Sequence, residues 1–79
     1  MSNAVLPPNL IGRSWSTSHG SFDSYDLARV LDAIERGRSI TDALGVTSLT
    51  DRRADRALQL LRKHGLIRFD AHARAWVLA

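Results

Sequence analysis

Apolar residues along the chain recur with two periods, one helical and one extended. Leu27, Val30, Leu31 and Ile34 follow the i, i+3, i+4, i+7 spacing that lays one stripe along a helix, with Arg29, Asp32, Glu35 and Arg36 on the other side. Asp23 or Ser24 is placed to cap the free amides of the first turn, and Gly37 to end the helix. A second, short helix is predicted from about Ser39 to Leu44. Ile40, Ala43 and Leu44 point inward, Ser39 and Asp42 have capping-box spacing, and Gly45 stops it. So short a helix needs its neighbours to hold it.

A third helix is predicted near residues 49–64, with Ser48 as its cap and Gly65 at its end. Ala54, Ala57, Leu58 and Leu61 form its inward stripe. Arg52, Arg56, Gln59 and Lys63 share a narrow arc on the opposite side, and Leu60 lies on the flank. Beyond it, Leu66-Ile67-Arg68-Phe69 and Ala75-Trp76-Val77-Leu78 are β-prone runs separated by the polar turn Asp70 to Arg74, a hairpin over 66–79.

The first 22 residues show neither period. Pro7-Pro8 and the run Ser14, Ser16, Thr17, Ser18, Gly20, Ser21 predict a flexible N-terminal arm over 1–22, ahead of a folded domain over 23–79. Val5, Leu6, Leu10, Ile11 and Trp15 are apolar enough to dock on that domain or on a second subunit, and Ser2-Asn3-Ala4 has the look of a cloning remnant. The expected class is mainly α with a small β-hairpin (α+β): three helices and a C-terminal two-stranded hairpin.

Charge sharpens this picture. Up to Asp51 the chain carries Arg13, Arg29, Arg36 and Arg38 against Asp23, Asp26, Asp32, Glu35, Asp42 and Asp51, a balance of −2. From Arg52 onward it carries Arg52, Arg53, Arg56, Arg62, Lys63, Arg68 and Arg74 against Asp55 and Asp70, a balance of +5. That asymmetry points to a polyanion partner for the C-terminal part. Arginine outnumbers lysine ten to one, which suits phosphate and guanine recognition and equally reflects a GC-rich genome.

Two short helices joined by a turn, the second with a basic outer face, make a helix-turn-helix, whose second helix enters the major groove of DNA. Arg and Lys match guanine there and Gln matches adenine. Asp51 and Asp55 oppose that reading, since a carboxylate facing phosphate repels. A cap role for Asp51 and a partnership of Asp55 with Arg52 or Gln59 would remove the conflict.

The segment Ile40-Thr41-Asp42-Ala43-Leu44-Gly45-Val46-Thr47, followed by Arg56-Ala57-Leu58-Gln59-Leu60-Leu61-Arg62-Lys63-His64-Gly65-Leu66-Ile67, resembles bacterial winged-helix regulators over roughly residues 24–79. The resemblance implies a three-helix winged helix-turn-helix with the hairpin as wing. It implies a sequence-specific DNA-binding protein, a small bacterial or phage transcriptional regulator, acting on double-stranded DNA. The implied contacts are Arg52, Arg53, Arg56, Gln59 and Lys63 from the third helix and His72 and Arg74 from the wing tip. The chain departs from many such regulators by about three extra residues, Leu49 to Arg52, which lengthen the turn or add most of a helical turn.

Enzymatic activity is not expected. The chain has no cysteine, no glycine-rich phosphate loop, and its histidines, His19, His64 and His72, lack metal-ligand spacing. Catalytic residues, metal, cofactor and small-molecule ligand are all expected to be absent. No apolar run is long enough for a membrane span, so a cytoplasmic protein of a bacterial cell or phage-infected host is expected. A homodimer through the N-terminal arm would suit a two-fold operator. The competing expectation is a winged-helix module that binds protein, such as a phage-encoded inhibitor or adaptor. Its mark would be Leu6, Leu10, Ile11, Trp15 and Leu60 joined in one exposed patch.

Overall fold

The computed structural model describes residues 5–79, so Ser2-Asn3-Ala4 lies outside the described residues. A 3-10 turn at Pro8–Leu10 precedes β1 (Ser14–Thr17) and β2 (Gly20–Asp23). Then come α1 (Ser24–Arg36), α2 (Ile40–Leu44), α3 (Arg52–Lys63), β3 (Ile67–Asp70) and β4 (Ala75–Leu78). The result is a small α+β domain of three helices and two separate antiparallel hairpins, β1–β2 and β3–β4. None of the described helices is long and apolar enough to cross a membrane.

Helix α1 forms as its apolar period predicts, with Leu27, Val30, Leu31 and Ile34 buried. Asp23 is its cap: its carboxylate accepts from the Asp26 amide at 3.0 Å, and Asp26 accepts in return from the Asp23 amide at 2.8 Å. Ser24, the other candidate cap, does something else. Its hydroxyl donates to the Leu10 carbonyl at 2.5 Å and accepts from the Arg13 amide at 2.9 Å, tying the preceding segment to the start of α1. Gly37, Gly45 and Gly65 all take the left-handed backbone expected just beyond a helix. Helix α2 has Ser39 as its cap, but Ile40, Ala43 and Leu44 are only half-buried.

The predicted flexible arm over 1–22 is not what the described residues show. Leu6 and Leu10 are core residues, with Leu10 wholly buried, and Phe22 is 3% exposed. Strands β1 and β2 pair Trp15 with Phe22, whose rings stack at 5.3 Å. Thr17 closes the turn by donating to the Gly20 carbonyl at 2.6 Å. Pro7-Pro8 does not block structure either, because a proline's missing N–H is no loss in the first turn of a helix and Pro8 opens the 3-10 turn. The serine-rich composition concealed an element whose stability comes from what it covers. Isolated hairpins are marginal, and this one lies against α1 and α3.

The core joins Leu6, Leu10 and Phe22 from the N-terminal segment to the α1 stripe, to Ala57, Leu58 and Leu61 of α3, and to Ile67 of β3. In the C-terminal hairpin Ile67 faces Leu78 and Phe69 faces Trp76, so all four share one face. Ile67 is buried under the helices, whereas Phe69 lies beyond them, 53% exposed, with its ring edge-on to Trp76.

Leu10→Ala should therefore cost about 2–5 kcal/mol, the usual range for a large-to-small change in a closed core. Thermal unfolding by circular dichroism measures it. A melting temperature unchanged by the substitution would mean that the N-terminal segment is not part of the core.

Candidate nucleic-acid interface

Helix α3 begins at Arg52, later than the cap at Ser48 predicted. The extra residues lengthen the turn and do not extend the helix. Ser48 caps that turn, its hydroxyl accepting from the Thr50 amide at 3.1 Å. Asp51 caps the helix, accepting from the Arg53 amide at 2.9 Å. A carboxylate is a stronger acceptor than a hydroxyl and suits the positive end of the helix dipole, which favours Asp51 over Ser48.

Asp51 also receives the Arg53 side chain, Nε on Oδ1 at 3.1 Å and a terminal nitrogen on Oδ2 at 3.0 Å. These bonds hold the Asp51 carboxyl down at about 2, chiefly through the Arg53 side chain and next through the Arg53 amide. The same pairing raises Arg53 above its ordinary value. The Arg53 stem lies over Gly20, where an added Cβ would meet its Cδ at 3.6 Å. Arg53 is thus committed to Asp51 and to the N-terminal hairpin, and it leaves the set of predicted contacts. Its sequence position beside a capping Asp was the signal that could have said so.

The N-terminal hairpin reaches α3 a second time. His19, at the β1–β2 turn, accepts from the Arg52 amide through Nδ1 at 2.9 Å, satisfying another free amide of the first turn. The pair is 33 residues apart in sequence, and no local pattern predicts it. Asp51 lies 3.8 Å from the same ring nitrogen.

With its N-terminus held at two points and Ala54, Ala57, Leu58 and Leu61 buried, α3 has one rotation about its axis. That rotation leaves Arg52, Arg56, Gln59 and Lys63 exposed along the opposite side. Gln59 accepts from Arg62 at 3.4 Å, which adds Arg62 to this surface. Leu60 is half-buried on the flank. Asp55 is exposed and forms no ion pair with Arg52 or Gln59, so the partnership expected of it is absent.

Acidic groups elsewhere are largely engaged by their own neighbours. Asp26 pairs with Arg29, Asp32 with Arg36, and Asp51 with Arg53. Among the described residues no ion pair involves Arg52, Arg56, Lys63, Arg68 or Arg74. The basic excess of the C-terminal part is therefore a surface excess. His72 and Arg74 are exposed in the β3–β4 turn, which Asp70 organises by accepting from the His72 and Ala73 amides at 2.9 and 3.2 Å. Arg68, also exposed, extends the basic surface along β3 and was not singled out from the sequence. Among the described residues no cluster of His, Cys, Asp and Glu could hold a metal ion.

Two measurements check the α3 anchor. His19→Ala should cost about 0.5–1.5 kcal/mol, the net value of one hydrogen bond, read from denaturant unfolding. Because folding lowers the Asp51 carboxyl from 3.8 to about 2, its contribution is fully present above about pH 4 and is lost as pH falls toward 2. The stability of Asp51→Asn should fall less steeply over that window than that of the wild type, and parallel curves would contradict the cap.

Comparison of the chain with protein-family models, with curated proteins and with solved structures finds no match.

Proposed function

We propose that the chain is a sequence-specific DNA-binding protein of winged-helix type, with α3 in the major groove and the β3–β4 hairpin as a wing on the backbone. The observation that carries this reading is the unopposed outer face of α3. Arg52, Arg56, Gln59 and Lys63 are exposed together on a helix whose opposite side is buried, and none is paired with an acid. A single helix of this kind fits the major groove, where Arg and Lys reach guanine O6 and N7 and Gln reaches adenine N6 and N7.

The order of three helices followed by a hairpin supports the winged-helix reading, as do the α2–α3 turn and the wing-like place of β3–β4. Arg68, His72 and Arg74 on the hairpin are the phosphate contacts, and they supply affinity without base preference. The biological setting that follows is a small transcriptional regulator of bacterial or phage type.

A homodimer on a two-fold operator remains part of the proposal, but its surface needs revision. Leu6 and Leu10, which were to make that contact, are spent on the domain's own core. Val5 and Ile11 stay exposed beside them and are the remaining apolar candidates. The same burial breaks up the exposed patch that would have marked a protein-binding module, since Trp15 and Leu60 are also half-buried.

Selection of duplexes from a random pool, followed by fluorescence anisotropy on the enriched site, tests the assignment. Arg52→Ala and Arg56→Ala should each weaken specific binding by about 1–3 kcal/mol, and Arg74→Ala should weaken binding to all sequences alike. Raising salt from about 50 to about 200 mM should lower affinity roughly 10- to 100-fold, as expected for two to four phosphate contacts. A double Arg52/Arg56 alanine variant that binds like the wild type would reject the proposal.

A further inference from the structure

The large apolar side chains left exposed among the described residues are Val5, Ile11, Tyr25, Leu49 and Phe69. They are not scattered, because each lines one of two surface grooves. Val5, Ile11 and Tyr25 line the groove between the N-terminal segment and α1, whose charged residues are one arginine and one aspartate, Arg13 and Asp23. Leu49 and Phe69 line the other, of about 430 Å³, between the end of α1, the two inter-helix turns and the C-terminal hairpin.

The second groove is uniform in charge. Its walls are Ile34, Ile40, Leu49, Phe69 and Trp76, and its charged residues are Arg38 and Arg74, without any carboxylate. Neither arginine forms an ion pair with a described residue. Leu49 is 44% exposed and Phe69 53%, a cost in water that covering would remove. An apolar trough flanked by two unpaired cations complements a segment with bulky apolar side chains on one face and carboxylates beside them.

We propose that this groove docks an acidic amphipathic peptide segment of a partner protein, its apolar side chains against Ile40, Leu49, Phe69 and Trp76 and its carboxylates on Arg38 and Arg74. Single-stranded nucleic acid is the rival occupant, since arginines and aromatics also bind exposed bases. The geometry favours the peptide. Phe69 and Trp76 meet edge to face at 64°, so they offer no pair of parallel rings on which successive bases stack, and the remaining walls are aliphatic. No residue of α3 lines the groove, so a docked peptide leaves Arg52, Arg56, Gln59 and Lys63 uncovered.

The test uses the full chain, isotope-labelled, and two synthetic helical peptides of about fifteen residues. Both carry Leu, Phe and Leu at i, i+4 and i+7, with Glu flanking them in one and Lys in the other. The glutamate peptide should bind saturably, shift the resonances of Leu49, Phe69 and Trp76, and bind at least roughly tenfold more tightly than the lysine peptide. Arg38→Glu with Arg74→Asp should reverse that preference. Both positions are exposed and unpaired, and Asp tolerates the positive φ of 53° at position 74, so the variant keeps the fold. Absence of saturable binding by the glutamate peptide overturns the proposal, as does equal binding by the wild type and the reversed variant. Shifts at Phe69 and Trp76 with an oligothymidine but not with the peptide would do the same in favour of nucleic acid. No DNA is present in the peptide arms, so their failure leaves the assignment of α3 standing.

Discussion

Covering the apolar stripes of α1 and α3 is the constraint on which the rest of the structure depends. The two stripes meet, but two cylinders in contact leave their flanks open to water. Leu6, Leu10 and Phe22 close one flank and Ile67 closes another, so the hairpins at the two ends of the chain belong to the same core. Small domains bury a limited share of their surface, and this chain has no cysteine to offset that. An N-terminal segment that supplies a wholly buried leucine is under those conditions a structural necessity.

The same packing sets the electrostatics. Burial of Ala54, Ala57, Leu58 and Leu61 turns the basic side of α3 outward. The acids that could have neutralised that side are instead held by Arg29, Arg36 and Arg53. Arg53 and its Asp51 partner illustrate how one local pair serves two ends: it caps the helix and removes one carboxylate from the face that would meet phosphate. Asp55 is the one acid on α3 that remains unengaged, and it lies at the edge of the arc and not within it.

Much of this was legible in the sequence where the signal is periodic. The buried residues of α1 and α3 are the ones their i, i+3, i+4 spacing selects, and the C-terminal hairpin follows from two β-prone runs around a polar turn. What escaped is what depends on distant partners. Residues 14–23 alternate poorly and their turn, Ser18-His19, has no strong hairpin signature, so nothing local announces β1 and β2. Their worth lies in Phe22 reaching the core and His19 reaching an amide far along the chain. Ser48 and Asp51 were both plausible caps, and only the tertiary position of the turn decides between them. Of the candidate site, the narrow arc of Arg52, Arg56, Gln59 and Lys63 was readable because a helix places side chains by arithmetic. Arg53 was misread because its nearest acid was ignored.

The central claim is that the outward side of α3 meets duplex DNA. Amide chemical-shift mapping during titration with a duplex carrying the selected site tests it most directly. The account predicts saturable shifts concentrated at Arg52, Arg56, Gln59 and Lys63 and in the β3–β4 turn. Shifts confined to the N-terminal segment and α1, or none at all at low salt, would contradict it.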